Sequence, residues 1–350
     1  MIKILLNIFL LAALILGCNN IEIKKNIIPQ RIILNLTEQP TTEIAVTWMT
    51  NDSVINSQLE IAESKPWLNF IDSTKLFDAN SEKVITDKNK NIFFHSRIVS
   101  NLRPDTKYIY RVGGDSIWSE WNQFKTADDN LSEFSFTYFG DVQHDVKEFS
   151  SRIFREAIQT LPQSEFWLFT GDLIDRAEFD YQWQEFFDAA QFIPAIKPIV
   201  LTAGNHEYVD TLINSEEIEF LADLWKVHIT QPKSDIAGLD ETVFTFVYQG
   251  TRFIILNGNE KLNEQSKWLE QILNENKSKW TIISIHQPLY SMSKNRNQIK
   301  TRNAFLQVID KYNVDLVLQG HDHVYARTYK LHNGKIVNEN DKGTIYITSN

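Results

Sequence analysis

The sequence predicts two folds in one chain, an all-β antiparallel sandwich followed by a layered α/β domain. Its 350 residues exceed the usual span of a single domain. From about Pro29 to Lys125, short segments of alternating polarity are separated by turn residues, the pattern of half-buried antiparallel strands. Beyond a polar linker at Thr126-Ala127-Asp128-Asp129-Asn130, apolar runs alternate with segments of helical period, as strands covered by helices require.

The sandwich is placed at residues 29–127. Glu43-Ile44-Ala45-Val46-Thr47-Trp48-Met49-Thr50 alternates cleanly and makes Trp48 the buried aromatic of its strand. Leu102-Arg103-Pro104-Asp105-Thr106-Lys107-Tyr108 carries the turn, the proline and the tyrosine of a tyrosine corner. These residues resemble a fibronectin type III or immunoglobulin-like module. A buried Trp and a corner Tyr hold a sandwich together whatever it does, so no site is expected here.

The second domain is placed at residues 131–350. Strands are predicted at Phe134–Phe139, Phe166–Phe169, Ile199–Leu201, Phe253–Leu256, Thr281–Ile285 and Val314–Leu318, and helices at Val146–Thr160, Leu262–Leu273 and Ala304–Tyr312. Alternation of this kind implies a largely parallel layered sheet. Gly343 to Thr348 reads as one more strand, and a chain that stops directly after it, at Asn350, reads as a domain truncated at its C-terminus.

At the N-terminus, Lys3 precedes an apolar run from Ile4 to Leu16, too short to span a bilayer comfortably and of the length of a signal-peptide core. Ile15-Leu16-Gly17-Cys18 resembles a bacterial lipobox, which implies a signal peptide at 1–17, lipidation of Cys18 and a tether at 18–28. An exported protein held to a bacterial membrane by its lipid is expected, with leaflet and surface exposure open. Cys18 is the only cysteine, so an intrachain disulfide is impossible. A formal charge of −10 argues against nucleic acid as a partner. It still admits a small anionic ester, because bound cations reverse the local field.

Polar groups able to ligate metals stand where the predicted strands end: Gly140-Asp141, Gly171-Asp172, Gly204-Asn205-His206-Glu207, His286 and Gly320-His321-Asp322-His323. Strand carboxyl ends are where layered α/β folds bind ligands. A lone Gly-Asp is more often a turn or a helix cap, but all of these in one order, with a paired His-x-His, point to a metal centre.

These blocks resemble the calcineurin-like metallophosphoesterases and, within them, the purple acid phosphatases. Trp118-Ser119-Glu120-Trp121, His286-Gln287-Pro288-Leu289-Tyr290-Ser291 and Gly320-His321-Asp322-His323-Val324-Tyr325 carry the likeness to the second group. The resemblance implies a phosphate-ester hydrolase with two divalent ions, Zn, Mn or Fe. Asp172 would bridge them, Asp141 and His323 would hold the first, and Asn205, His286 and His321 the second. A hydroxide shared by the ions would attack phosphorus, assisted by His206 as the catalytic histidine. A small phosphate ester is the expected partner, acid-phosphatase-like monoester chemistry the leading activity, and a phosphodiesterase or nucleotide pyrophosphatase the alternative. A surface-binding lipoprotein with a decayed enzyme domain is the alternative of another class. Oligomeric state is left open.

The chain departs from the purple pattern in two places. Asp175 stands where that group has a tyrosine ligand of the ferric ion, and Asp172-Leu173-Ile174-Asp175-Arg176 instead resembles the serine/threonine phosphatase block. That likeness implies that Asp175 orients His206 and that Arg176 binds phosphate, the alternative for Arg176 being a surface ion pair. Gln143 stands where many relatives place a ligating His, and its amide oxygen is expected as a weaker ligand. His144, one residue on, should point away by strand alternation and is expected not to ligate. Lys294 or Arg296 could replace the paired substrate histidines that Ser291 to Lys300 lacks. His95, His228 and His332 receive no role.

Overall fold

One seven-stranded sheet runs through both halves of the chain. Its order is Thr137–Phe139, Trp167–Phe169, Ile199–Leu201, Gln30–Asn35, Ile44–Asn51, Asn91–Val99 and Asn80–Ile85. The computed structural model describes residues 28–51, 54–114, 116–213 and 216–350. The signal peptide, Cys18 and nearly all of the tether lie outside them.

The front module is the expected sandwich. Its second sheet is built on Gln58–Glu63 and Lys107–Gly114, with Lys75–Asp78, Ile117–Trp118 and Asn122–Lys125 at the edges. Trp48, Leu59, Ile61, Tyr110 and Val112 fill the space between the sheets. The indole N–H of Trp48 donates to Ser57 Oγ at 2.9 Å, so the buried ring leaves no donor unpaired. The tyrosine corner closes as predicted, with the Arg103 N–H donating to Tyr108 Oη at 2.8 Å.

The sandwich is welded to the second domain. Asn35 pairs in parallel register with Ile199, its amide donates to the Ile199 carbonyl at 2.8 Å, and Tyr110 donates to the Ala195 carbonyl at 2.7 Å. Ile33, Met49 and Phe94 share one core with Phe154, Trp183 and Phe186 of the α/β domain. The two sequence segments are therefore mechanically one body.

The second domain contains a further sheet, ordered Phe244–Tyr248, Thr251–Leu256, Trp280–Ile285, Leu316–Gln319, Ile345–Thr348 and Ala326–Arg327. Phe253, Ile255, Ile282 and Leu318 face Phe166, Leu168 and Val200 of the first sheet. Their alternates Ile254, Leu256, Ile283 and Val317 face helices Leu262–Glu275 and Ile299–Tyr312. Helices Val146–Thr160 and Asp180–Ala190 cover the other side. The result is helix, sheet, sheet, helix, two sheets where the sequence suggested one. Of the run from Phe134, only Thr137–Phe139 pairs as strand, while Phe134 and Phe136 pack between the sheets.

Candidate metal centre

Five parallel strands end at one edge, and the loop after each delivers a polar group. Asp141 follows Thr137–Phe139, Asp172 follows Trp167–Phe169, Asn205 and His206 follow Ile199–Leu201, His286 follows Trp280–Ile285, and His321 and His323 follow Leu316–Gln319. The first three strands belong to one sheet and the last two to the other.

The chain turns so sharply there that Asp141, Asp172, His321 and His323 have φ of 42°, 52°, 68° and 51°, in the left-handed region that non-glycine residues rarely occupy. Strain of this kind persists only where packing and hydrogen bonds over-determine it, and it gathers at functional sites. Gly171, with φ of 95°, sits where three loops meet, and a Cβ there would lie 2.7 Å from both Gly204 Cα and His286 Nδ1. Glu207, wholly buried, ties the same loops together. Its carboxylate accepts the backbone N–H of Asp172 and Leu173 at 2.9 Å each and of Gly204 at 2.7 Å. Nothing in the sequence marks Glu207 for this task beyond its place directly after His206.

Two groups of donor atoms result, Asp172 with His286 and His321, and Asp141 with Asp172 and His323, each lying within 4.8 Å of one another. Asn205 Oδ1 is 3.0 Å from both His286 Nε2 and His321 Nδ1. His286 Nε2 is 3.2 Å from Asp172 Oδ2. The His286 Nδ1–H is spent on the Thr170 carbonyl at 2.8 Å, which leaves Nε2 facing two oxygens, where it holds a proton in the metal-free protein and would offer its lone pair to an ion. Converging lone pairs of this kind require a cation or a proton. Carboxylate, amide and imidazole donors fit borderline divalent ions. Asp141, Asp172 and His286 form a buried floor, while Asn205, His144 and His323 form an exposed rim.

The electrostatics agree. Burial alone would lower His286, but the Asp172 carboxylate beside it raises its pKa to about 9. Burial would raise Asp172, but His286 and then His206 hold it well below the carboxylate range. Asp141 is pushed up to about 7 by burial, with Asp172 adding to it. His321 is lowered to about 4 by burial and by His286.

Gln143 is buried between Asp172 and His323, its Nε2 3.2 Å from Asp172 Oδ2 and 3.4 Å from His323 Nε2, with Oε1 lacking a hydrogen-bond partner. A half-turn of the amide exchanges the two atoms and presents the oxygen to the cluster, as a ligand role needs. His206 sits beside Asp172, with its backbone N–H on Asp172 Oδ1 at 3.0 Å.

Three expectations change. Asp175 does orient His206, but through its backbone carbonyl, which accepts the Nδ1–H at 2.6 Å; its carboxylate is 3.6 Å away and lies nearer to His144 Nδ1, at 3.1 Å. His144 does not point away, because the strand ends at Phe139 and a φ of 67° at residue 144 breaks the alternation. Its ring lies 6.2 Å from that of His206 and 6.3 Å from that of His323. Arg176 is engaged elsewhere, paired with Glu178 and lying over the Phe179 ring, which is the surface ion pair rather than a phosphate ligand. Arg296 reaches the His321 carbonyl. Gln298 Nε2 lies 3.0 Å from His321 Nε2, so that amide positions the ring from behind. Asp322 Oδ2 accepts the N–H of Met292 at 2.7 Å and of Ser293 at 3.1 Å, pinning the loop after His286. His95 and His228 are buried in polar and aromatic contacts away from the cluster.

Residues 134–325 match the calcineurin-like phosphoesterase family. The chain belongs to that family. Residues 29–126 match the purple acid phosphatase N-terminal domain, so this calcineurin-like phosphoesterase carries the front module of that group. Purple acid phosphatase 18 of Arabidopsis thaliana is 24% identical over 338 residues, 93% of this chain and 71% of that protein. Fe(3+)-Zn(2+) purple acid phosphatase 12 of the same plant is 26% identical over 279 residues, 73% of this chain and 58% of that protein. Purple acid phosphatase PPD1 from yellow lupin seeds shares the fold, with a TM-score of 0.73 at 19% identity, over 92% of this chain and 64% of the lupin chain. PhoD does so with a TM-score of 0.64 at 12% identity, over 92% of this chain and 77% of that chain.

Proposed function

We propose that this calcineurin-like phosphoesterase is a dinuclear-metal phosphomonoesterase of the acid-phosphatase type. The observation that carries the reading is that Asp172 is common to both donor groups, as a carboxylate bridging two ions must be. Asp141, Asp172 and His323, with Gln143, would hold one divalent ion, and Asp172, Asn205, His286 and His321 the other, as Zn, Mn or Fe. When bound, the pair supplies Lewis-acid activation of water and neutralises charge on the phosphoryl oxygens. His206, with Nδ1 committed to the Asp175 carbonyl, keeps Nε2 for the reacting phosphoryl group or the leaving oxygen. The open rim formed by Asn205, His144 and His323 admits a small anionic ester. Asp175 in place of a phenolate argues against a purple ferric site.

The test is hydrolysis of a panel of monoesters, diesters and pyrophosphates by protein reconstituted with two ions per chain. Monoesters should be preferred. Protein that holds both ions and turns over none of the panel would sink the reading, and preference for diesters or pyrophosphates would move it to those classes. We further propose that Cys18 is lipidated after export and that residues 18–28 tether the enzyme to a bacterial membrane. Mass spectrometry of the mature N-terminus should find an acylated cysteine, and Cys18→Ser should release the protein from membranes.

A further inference from the structure

His144 and Asp175 form a pair at the rim that the proposed reaction has not used. The Asp175 carboxylate has two imidazoles within reach, but His206 Nδ1 already donates to the Asp175 carbonyl at 2.6 Å. A single N–H cannot serve both acceptors well. The carboxylate is left for His144 Nδ1, 3.1 Å away against 3.6 Å for His206. A carboxylate on one ring nitrogen fixes the imidazole's orientation and turns the other nitrogen outward.

The backbone around His144 is built to aim it. Residues 144 and 145 have φ of 67° and 48°, and the reversal is clamped on both sides. Before it, the Gln143 N–H donates to the Asp172 carbonyl at 3.1 Å, and Ser150 Oγ donates to the Val142 carbonyl at 2.9 Å. After it, the Glu148 and Phe149 N–H groups close on the Asp145 carbonyl at 2.9 and 3.0 Å. The ring thus stands between His206 and His323, at 6.2 and 6.3 Å. It lines a cavity of about 460 Å³ together with Asp141, Gln143 and His323, and the exposed side chains Phe149 and Ile153 line it too. The imidazole of His144 is exposed and fills no core, yet it is held at the mouth of the candidate metal cluster by a carboxylate and a left-handed turn.

We propose that His144 is a substrate-contacting residue that binds the phosphoryl group beside His206, and that Asp175 is a positioning residue acting through His144. The proposal rests on the phosphoesterase reading for its substrate. It is tested by the binding of inorganic phosphate, which needs no turnover. Protein loaded with two ions per chain is titrated with phosphate by calorimetry as wild type, His144→Ala, Asp175→Asn and the double variant, with metal content and thermal melting measured alongside. Loss of one hydrogen bond to an anion predicts that His144→Ala weakens phosphate binding by roughly 10- to 100-fold. Asp175→Asn should weaken it by roughly 3- to 10-fold, because the ring remains but is no longer held. In the His144→Ala background Asp175→Asn should add nothing, since its effect passes through the missing ring. His144→Gln, which keeps a donor, should recover part of the loss.

Unchanged phosphate affinity in His144→Ala overturns the proposal, as does loss of an ion from that variant, which would make His144 a ligand. An undiminished effect of Asp175→Asn without His144 overturns the positioning half and returns Asp175 to His206. Wild-type protein that binds phosphate but hydrolyses no ester removes the parent reading and leaves this one standing.

Discussion

Adding divalent ions to the metal-free protein at pH 7 should expel roughly one to two protons per chain, because the ligands must shed theirs to bind. His286, raised to about 9 by Asp172 against the effect of its own burial, carries its proton almost fully at pH 7. Asp141, raised to about 7 by burial, is half protonated there. Asp172, held low by the imidazoles, and His321, lowered to about 4, have none to give. The sign follows from His286 being raised. The stability that its proton lends the metal-free fold is fully present below the free-histidine value and is lost as pH rises through about 9. The ions compete with this proton and with that of Asp141, so metal affinity should climb with pH by roughly 10- to 100-fold per unit between pH 6 and 8, some 4 kcal/mol over two units. Titration calorimetry at pH 7 in two buffers of different ionisation enthalpy gives the proton count. His286→Gln should lower it by about one, which separates this proton from any released by water on the ions. Equal counts for wild type and His286→Gln, or an affinity flat from pH 6 to 8, would refute the argument.

Asp172→Ala should lose both ions and all activity, since that carboxylate is shared by the two donor groups; tight binding of two ions by the variant contradicts the bridging role. His206→Ala should keep both ions and lose roughly 10- to 100-fold more rate on alkyl than on aryl phosphates, because a poor leaving group needs the proton most; equal losses on the two would remove its acid role. Glu207→Ala leaves three backbone N–H groups buried without acceptors and should cost roughly 3 to 6 kcal/mol in urea unfolding of the metal-free protein, whereas a cost below about 1 kcal/mol would show that the loops hold without it. The metal-loaded enzyme should show no intense visible charge-transfer band, with Asp175 where a phenolate would be; a purple protein would point to another tyrosine as ligand.

Much of this molecule was legible in one dimension. Alternation around Trp48 and the corner at Tyr108 predicted a sandwich, because burial on one face of a strand writes itself at period two. Helix Val146–Thr160 and strand Ile199–Leu201 fell at their predicted limits, since long amphipathic runs and short apolar runs bounded by turns are strong local signals. The residues of the candidate metal cluster were equally plain, because each stands at the end of a buried strand where a polar side chain has no packing reason to be.

What stayed hidden depends on contacts between segments far apart in the chain. Nothing local in Asn35 announces that it pairs with Ile199 and makes one sheet of two domains. Apolar runs buried on both faces read the same in one sheet or in two, so the partition between packed sheets of the five strands that carry the candidate ligands could not be seen. Alternation misplaced His144 because it assumes that the strand continues, and only the left-handed turn after Phe139 swings that ring back over the site. Composition and pattern named the groups that can meet a metal and a phosphate; the distances among Asp175, His144 and His206, and the buried carboxylate of Glu207 that clips the loops, were decided by the packing of two sheets against each other. A sequence records which side chains are costly to bury, whereas the partner that compensates each one is chosen only when the chain closes.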